Sequence, residues 1–161
     1  MSDSPMLETF EDARLLWPNF SGREGMYNRA GDRNFNVIIP EDRVDGMIEN
    51  GWNVKFTKER EDVEDYEVEA FLPVSVRFDV RPPRITTITS SGRTVLSEDM
   101  VEVLDYADIE KIDLVVRSYE YTVNNKSGIK AYLKTMFVTM LEDDMERKYG
   151  IADPVIAVTD E

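Results

Sequence analysis

IDLVVRSYEYTVNNKSGIKAYLKTMFVTML, residues 112–141, sets two runs rich in β-branched and aromatic residues on either side of Asn124-Asn125-Lys126-Ser127-Gly128. Such runs around a short polar, glycine-containing connection predict a long β-hairpin. Side chains alternate along a strand, so Val115, Arg117, Tyr119, Tyr121 and Val123 share one face, with Leu114, Val116, Ser118 and Thr122 on the other. On the second strand Lys130, Tyr132, Lys134 and Met136 fall together, opposite Ile129, Ala131, Leu133, Thr135 and Phe137. One face then interleaves cations with rings (Arg117, Tyr119, Tyr121, Lys130, Tyr132 and Lys134), with Lys126 in the loop. Rings stack on nucleobases and cations neutralise phosphates, so this face is suited to a single nucleic-acid strand. The plainer alternative is a solvated sheet face on which tyrosine hydroxyls and lysine stems meet water.

The 161-residue chain is long enough to bury one core and fits a single domain with short tails. It contains neither Cys nor His. That removes disulfide and thiol chemistry, the usual zinc ligands and the commonest general base. Carboxylates could still hold a hard cation such as Mg²⁺, but no cofactor is expected. No apolar run approaches a membrane span, and residues 1–4 lack the basic and apolar regions of a signal peptide. A soluble cytoplasmic protein with no membrane partner is the expectation.

The net charge of −14 is unevenly placed. Segments 13–40, 72–97 and 114–141 hold 12 Lys/Arg against 4 Asp/Glu, a net of +8, while the remainder holds 7 against 29, a net of −22. The basic segments are those that read as strands. Charge sorted in this way gives an acidic protein a basic groove. Poor β-propensity explains why strands lack acids, but not why they keep twelve bases.

Residues 1–12 read as a flexible acidic N-terminus, 13–149 as one domain and 150–161 as an acidic C-terminal tail. Strands are expected over 13–17, 34–39, 52–57, 68–80 and 84–90, with Pro73 at an edge or bulge and Pro82-Pro83 as a break. Between the first two lies a loop, SGREGMYNRAGD, containing three glycines that permit close approach to a ligand backbone. Helices are expected at 41–50, opened by Pro40 and ended by Gly51, and at 98–107, with a short one able to form over 142–148. A helix followed by a closing hairpin is the order of a five-stranded Greek-key barrel of the oligonucleotide-binding (OB) type. The fold expected is therefore mainly β, an OB-type barrel with added strands and two short helices. A β-sandwich or another closed barrel fits the same strand count.

Four stretches lie across residues 17–150: Gly31-Asp32-Arg33-Asn34-Phe35; Gly51-Trp52-Asn53-Val54; Arg81-Pro82-Pro83-Arg84 leading to Thr89-Ser90-Ser91-Gly92; and Gly128-Ile129-Lys130-Ala131-Tyr132-Leu133-Lys134. In them the chain resembles a family of tailed-bacteriophage single-stranded DNA-binding proteins. The resemblance implies an OB fold that coats single strands during phage replication or recombination in the infected bacterial host. It also implies an acidic tail that recruits replication or recombination proteins. This tail ends Val158-Thr159-Asp160-Glu161, without the Pro-Phe tip of bacterial single-strand-binding proteins. A homodimer is left open.

The expected function is non-sequence-specific binding of single-stranded DNA, with no enzymatic activity. The candidate phosphate contacts are Arg33, Arg77, Arg81, Arg117, Lys126, Lys130 and Lys134, and the candidate stacking rings are Phe35, Trp52, Tyr119, Tyr121 and Tyr132. Three other classes compete. A β-rich virion or assembly protein would use the tyrosines as interface anchors. An acidic DNA mimic would spread its acids over the folded surface. A metal-dependent nuclease would need Asp99, Glu102, Asp105 and Asp108 to converge with carboxylates from another element.

Overall fold

In the computed structural model, which describes residues 5–26, 28–58, 67–79 and 81–142, the chain is mainly β. The strands are β1 (Leu7–Phe10), β2 (Leu15–Asn19), β3 (Arg33–Ile38), β4 (Lys55–Phe56), β5 (Ala70–Val76), β6 (Arg84–Thr89), β7 (Gly92–Leu96), β8 (Ile109–Val123) and β9 (Lys126–Met140). Among the described residues a single α-helix, α1 (Glu41–Glu49), follows β3, and a 3-10 turn spans Val101–Asp105 before β8. All the strands join one mixed sheet whose main path runs β1-β8-β9-β5-β3-β2. Two of its pairings, β5 with β9 and β6 with β9, are parallel; the rest are antiparallel.

The β8–β9 hairpin is the spine. Its turn is only Asn124-Asn125, both at positive φ (53° and 65°), closed by the Val123–Lys126 pair. Asparagine tolerates the left-handed backbone that a two-residue turn matching strand twist demands. Lys126, Ser127 and Gly128 therefore belong to β9, not to the loop. Along β8, Ile112, Leu114, Val116 and Ser118 are buried in strict alternation, as the sequence pattern requires. Along β9 the alternation breaks. Val115 pairs with Thr135 but Val116 with Leu133, so Lys134 is an extra residue, a β-bulge. Beyond it the faces exchange: Met136 and Val138 enter the core, while Thr135 and Phe137 fall on the other side.

The core gathers Phe10, Phe20, Phe35, Val37, Leu72, Val74, Ile85, Leu114, Leu133 and Met136, with Met47 of α1 and Val101 and Leu104 of the 3-10 turn closing it. Truncating any one of these leucines to Ala costs about 2–5 kcal/mol. The helix α1 carries Glu41 and Asp42 in its first turn, where they suit the positive end of the helix dipole. It ends at Gly51, whose φ of 95° reverses the chain toward Trp52.

Several expectations are corrected. Residues 7–10 are not a flexible terminus: they form β1 on β8, and Phe10 is buried. The acids around them disguise an edge strand whose partner lies a hundred residues away. The helix expected over 98–107 is only a 3-10 turn; Val101 and Leu104 are buried, but Met100 and Val103 are exposed. The strand expected over 68–80 ends at Val76, so Arg77 and Arg81 lie in the connection to β6. β2 runs through Pro18 instead of stopping there. Residues 143–161, with the terminal helix and acidic tail expected there, lie outside the described residues.

Candidate nucleic-acid interface

Cross-strand registers assemble one row of side chains on the sheet face opposite the core. Leu7 of β1 pairs with Arg117 of β8, and Arg117 with Tyr132 of β9. Tyr132 pairs with Ser75 of β5, Ser75 with Asn34 of β3, and Asn34 with Asn19 of β2. Directly opposed residues share a face, so this row crosses six strands. A second row starts with the Tyr119–Lys130 pair and a third with Tyr121–Gly128.

Rings and cations meet in the first row. The Arg117 guanidinium lies 5.0 Å from the centre of the Tyr132 ring, and Tyr119 meets the same ring edge-on at 5.7 Å. Tyr119 is half exposed (51%), and Tyr121 is exposed as well. Tyr121 lies over Gly128: a Cβ there would stand 2.6 Å from the Tyr121 hydroxyl oxygen and 2.7 Å from Cζ. The missing side chain gives the ring its seat.

Partial burial and the like charge of Arg81, in that order, lower the Arg117 pKa from its ordinary value, while Tyr132 opposes the shift. A second cation thus stands near the Arg117 guanidinium, and among the described residues neither has an ion-pair partner. An anion bound there would relieve the repulsion. Arg77 differs. A hydrogen bond to Asp79 (3.2 Å from Nε) and that carboxylate's charge raise its pKa, with a smaller contribution from Tyr132. Lys126, Lys130 and Lys134 are exposed on β9, with Lys134 the bulge residue beside the rows.

Three candidate residues do other work. Phe35 is fully buried (0% exposed) and packs on Phe20 with ring centres 5.5 Å apart. Trp52 is 4% exposed and lies in the same core. Neither presents a ring face to a base, so both are corrected to core residues. Arg33 is committed internally: its Nε donates to the Phe20 carbonyl (3.0 Å), and Nη1 pairs with Glu98 at 2.9 Å. With its side chain only 19% exposed, it anchors the loop 20–32.

That loop opens from the Asn19 end of the row and is tightly built. The Asn19 Oδ1 accepts from the backbone N–H groups of Gly22 and Arg23, both at 3.0 Å. Asn28 Nδ2 donates to the carbonyls of Arg23, Arg29 and Asp32. Gly22 (φ 74°) passes so close to Gly31 that a Cβ would meet its backbone at 3.1 Å. The Asp105 carboxylate clamps the loop by accepting the N–H groups of Phe20 (2.8 Å) and Ser21 (2.9 Å). Asp105, one of the acids a nuclease would need, is thus a structural acceptor, and no group of three metal-ligating residues occurs among the described residues. Arg23 and Arg29 are exposed on the loop.

Sequence reasoning missed Ser75, Asn34 and Asn36, although the alternation that sends Phe35 and Val37 inward sends both asparagines outward. It also missed Trp17, which is 62% exposed.

A family model described as "Putative phage ssDNA-binding domain" matches residues 4–160. Among solved structures, the single-stranded DNA-binding protein from bacteriophage Enc34 in complex with ssDNA superposes with a TM-score of 0.55 at 13% identity, covering 85% of this chain and 88% of that one. The same Enc34 protein in a second structure gives 0.52 at 13% identity, covering 85% and 82%. The single-stranded DNA-binding protein gp2.5 encoded by bacteriophage T7 gives 0.45 at 9% identity, covering 87% and 89%. No curated protein matches the chain. At these identities the Enc34 likeness is one of fold.

Proposed function

The chain belongs to the phage single-stranded-DNA-binding domain family, and from that premise we propose that it coats single-stranded DNA without sequence preference, along the outer face of β8, β9 and β5. The observation that carries the proposal is the ring of Tyr132 with Arg117 over it, Arg81 nearby and Tyr119 at its edge. Ring faces accept any base, and guanidinium groups hold phosphates whatever the sequence. A protein of this kind acts where strands stand exposed, in phage DNA replication or recombination.

The sheet supports an OB-type barrel. β1 and β2 are successive pieces of one N-terminal segment, yet they occupy opposite ends of the sheet path. Between them Ala13 N–H donates to the Ile112 carbonyl of β8 (2.7 Å), and the Arg14 carbonyl accepts from Ile38 of β3 (2.9 Å). One segment with contacts at both ends of the path supports the barrel reading, as does the parallel pairing of β5 and β6 with β9, which fits the Greek-key order.

The test is a titration of fluorescently labelled oligo-dT, followed by anisotropy at several salt concentrations. Saturable binding that weakens log-linearly with salt is expected, because phosphate contacts release counterions. No binding at low salt would remove the proposal.

A further inference from the structure

We propose a second base-stacking station at Trp17, on the same sheet face but away from the tyrosine cluster; it rests on the single-strand reading above. Phe71 of β5 is buried yet stands outside the hydrophobic core cluster. Its strand neighbours Ala70 and Leu72 point into the core, so Phe71 points to the outer face. What covers it there is Trp17, whose ring meets it edge-on with centres 5.4 Å apart and planes at 88°. The indole keeps most of its own surface open to solvent. An exposed ring held upright on a buried one is a platform with a free face.

The backbone at Trp17 is unusual for such a residue. Its φ is +49°, the left-handed region. A bulky L-residue adopts this region only under strain, and the residue before a proline normally lies in the extended region. The ladder between β2 and β3 is irregular here, slipping register between Leu16 and Asn19. Strain of this kind persists where surrounding structure imposes it, and it clusters at ligand-binding positions. Here it turns an indole outward that a regular strand would have placed elsewhere.

A cation completes the station. Lys55 of β4 pairs directly with Phe71, so its side chain rises on the same face. It is exposed, and among the described residues no carboxylate holds it. Ring and cation thus recur side by side, as at Tyr132 and Arg117. The two stations share β5: Tyr132 pairs with Ser75, and Trp17 rests on Phe71, four positions along the strand. That separation is about 13 Å at the rise of an extended strand. It falls within the reach of a single oligonucleotide occupying one OB-type domain. Bases of the same strand would stack first at one ring and then at the other.

The experiment uses the whole chain with oligo-dT, reading tryptophan emission and anisotropy together. The chain has two tryptophans, and Trp52 is buried in the core. DNA is expected to quench the emission and to shield it from iodide, since only Trp17 is open to either. Trp17→Leu, which keeps an apolar cover over Phe71, is expected to weaken binding about 5- to 150-fold, the loss of one stacked base. Its salt slope should stay that of the parent. Lys55→Gln should lower the slope. Anisotropy that reports tight binding while emission, iodide access and Trp17→Leu affinity all stay at parent values would overturn this station and leave the tyrosine face standing. No anisotropy change at all would instead overturn the single-strand reading on which it rests. The emission arm needs no variant, so a misfolded Trp17→Leu protein leaves the test intact.

Discussion

Replacing Tyr132 with Leu separates what the ring does for the fold from what it does for DNA. Leu keeps apolar bulk but removes the π-face. In the free protein two contacts vanish: the Arg117 guanidinium at 5.0 Å and the edge-on Tyr119 at 5.7 Å. A partly exposed cation–π contact contributes about 0.5–1 kcal/mol and an aromatic pair about 0.5–1.5 kcal/mol. Their loss lowers stability by about 1–2.5 kcal/mol, which for a chain of this size lowers Tm by roughly 2–10 °C. A base stacked on the ring contributes about 1–3 kcal/mol, so affinity for oligo-dT should fall about 5- to 150-fold. The salt dependence should not move, because a neutral ring displaces no counterions. Arg117→Gln is the contrasting variant, expected to reduce the slope of log K against log salt by about 0.7 for one lost phosphate. Anisotropy titrations at three or more salt concentrations, paired with thermal melts, read both quantities. A Tyr132→Leu protein that melts lower but binds like the parent would refute the stacking role and assign the ring to the fold.

Gly128→Ala should push the Tyr121 ring from its seat, because the new Cβ would fall within 2.9 Å of three ring-end atoms; affinity should drop as far as in Tyr121→Leu, and the double variant should show no further loss in a mutant cycle. Asp105→Asn weakens the clamp on Phe20 and Ser21, with an expected stability loss of about 1–3 kcal/mol and faster proteolysis in the loop 20–32, measured by melting and limited digestion. Deleting residues from Gly150 onward removes three acids and no base; Tm should hold, and affinity for oligo-dT should stay equal or rise as repulsion from the phosphates is lost, measured by the same titration.

Strand alternation made much of the site legible, and its failures have physical causes. Arg117, Tyr119 and Tyr121 share the outer face because β8 is regular beyond Val115. The same rule misplaced Met136 and Phe137, because the bulge at Lys134 shifts the phase by one residue and nothing in the local sequence marks it. Phe35 already alternated with Asn34 and Asn36, so its burial was readable as a core position. Trp52 gave no such sign, since it follows the end of α1 outside any regular strand. Arg33 looked like a free cation only because its partner, Glu98, lies 65 positions along the chain. β1 escaped for the same reason, its partners Leu114 to Arg117 being more than a hundred positions distant. Trp17 was hidden by Pro18, which argues for a strand end in sequence, whereas here the strand continues through it with a reversed φ at the preceding residue.

The central claim is that a single DNA strand lies on the outer face of β8, β9 and β5. Photo-crosslinking tests it most directly, with an oligo-dT carrying 5-iodouracil at successive positions and adducts mapped by mass spectrometry. Stacked halogenated bases couple to the aromatic side chain beneath them. Adducts are predicted on Tyr119, Tyr121 and Tyr132. Tyr106 is an internal control, exposed next to the 3-10 turn and outside the three rows. Adducts confined to Tyr106, with the three β8–β9 tyrosines unmodified at saturating DNA, would contradict the account.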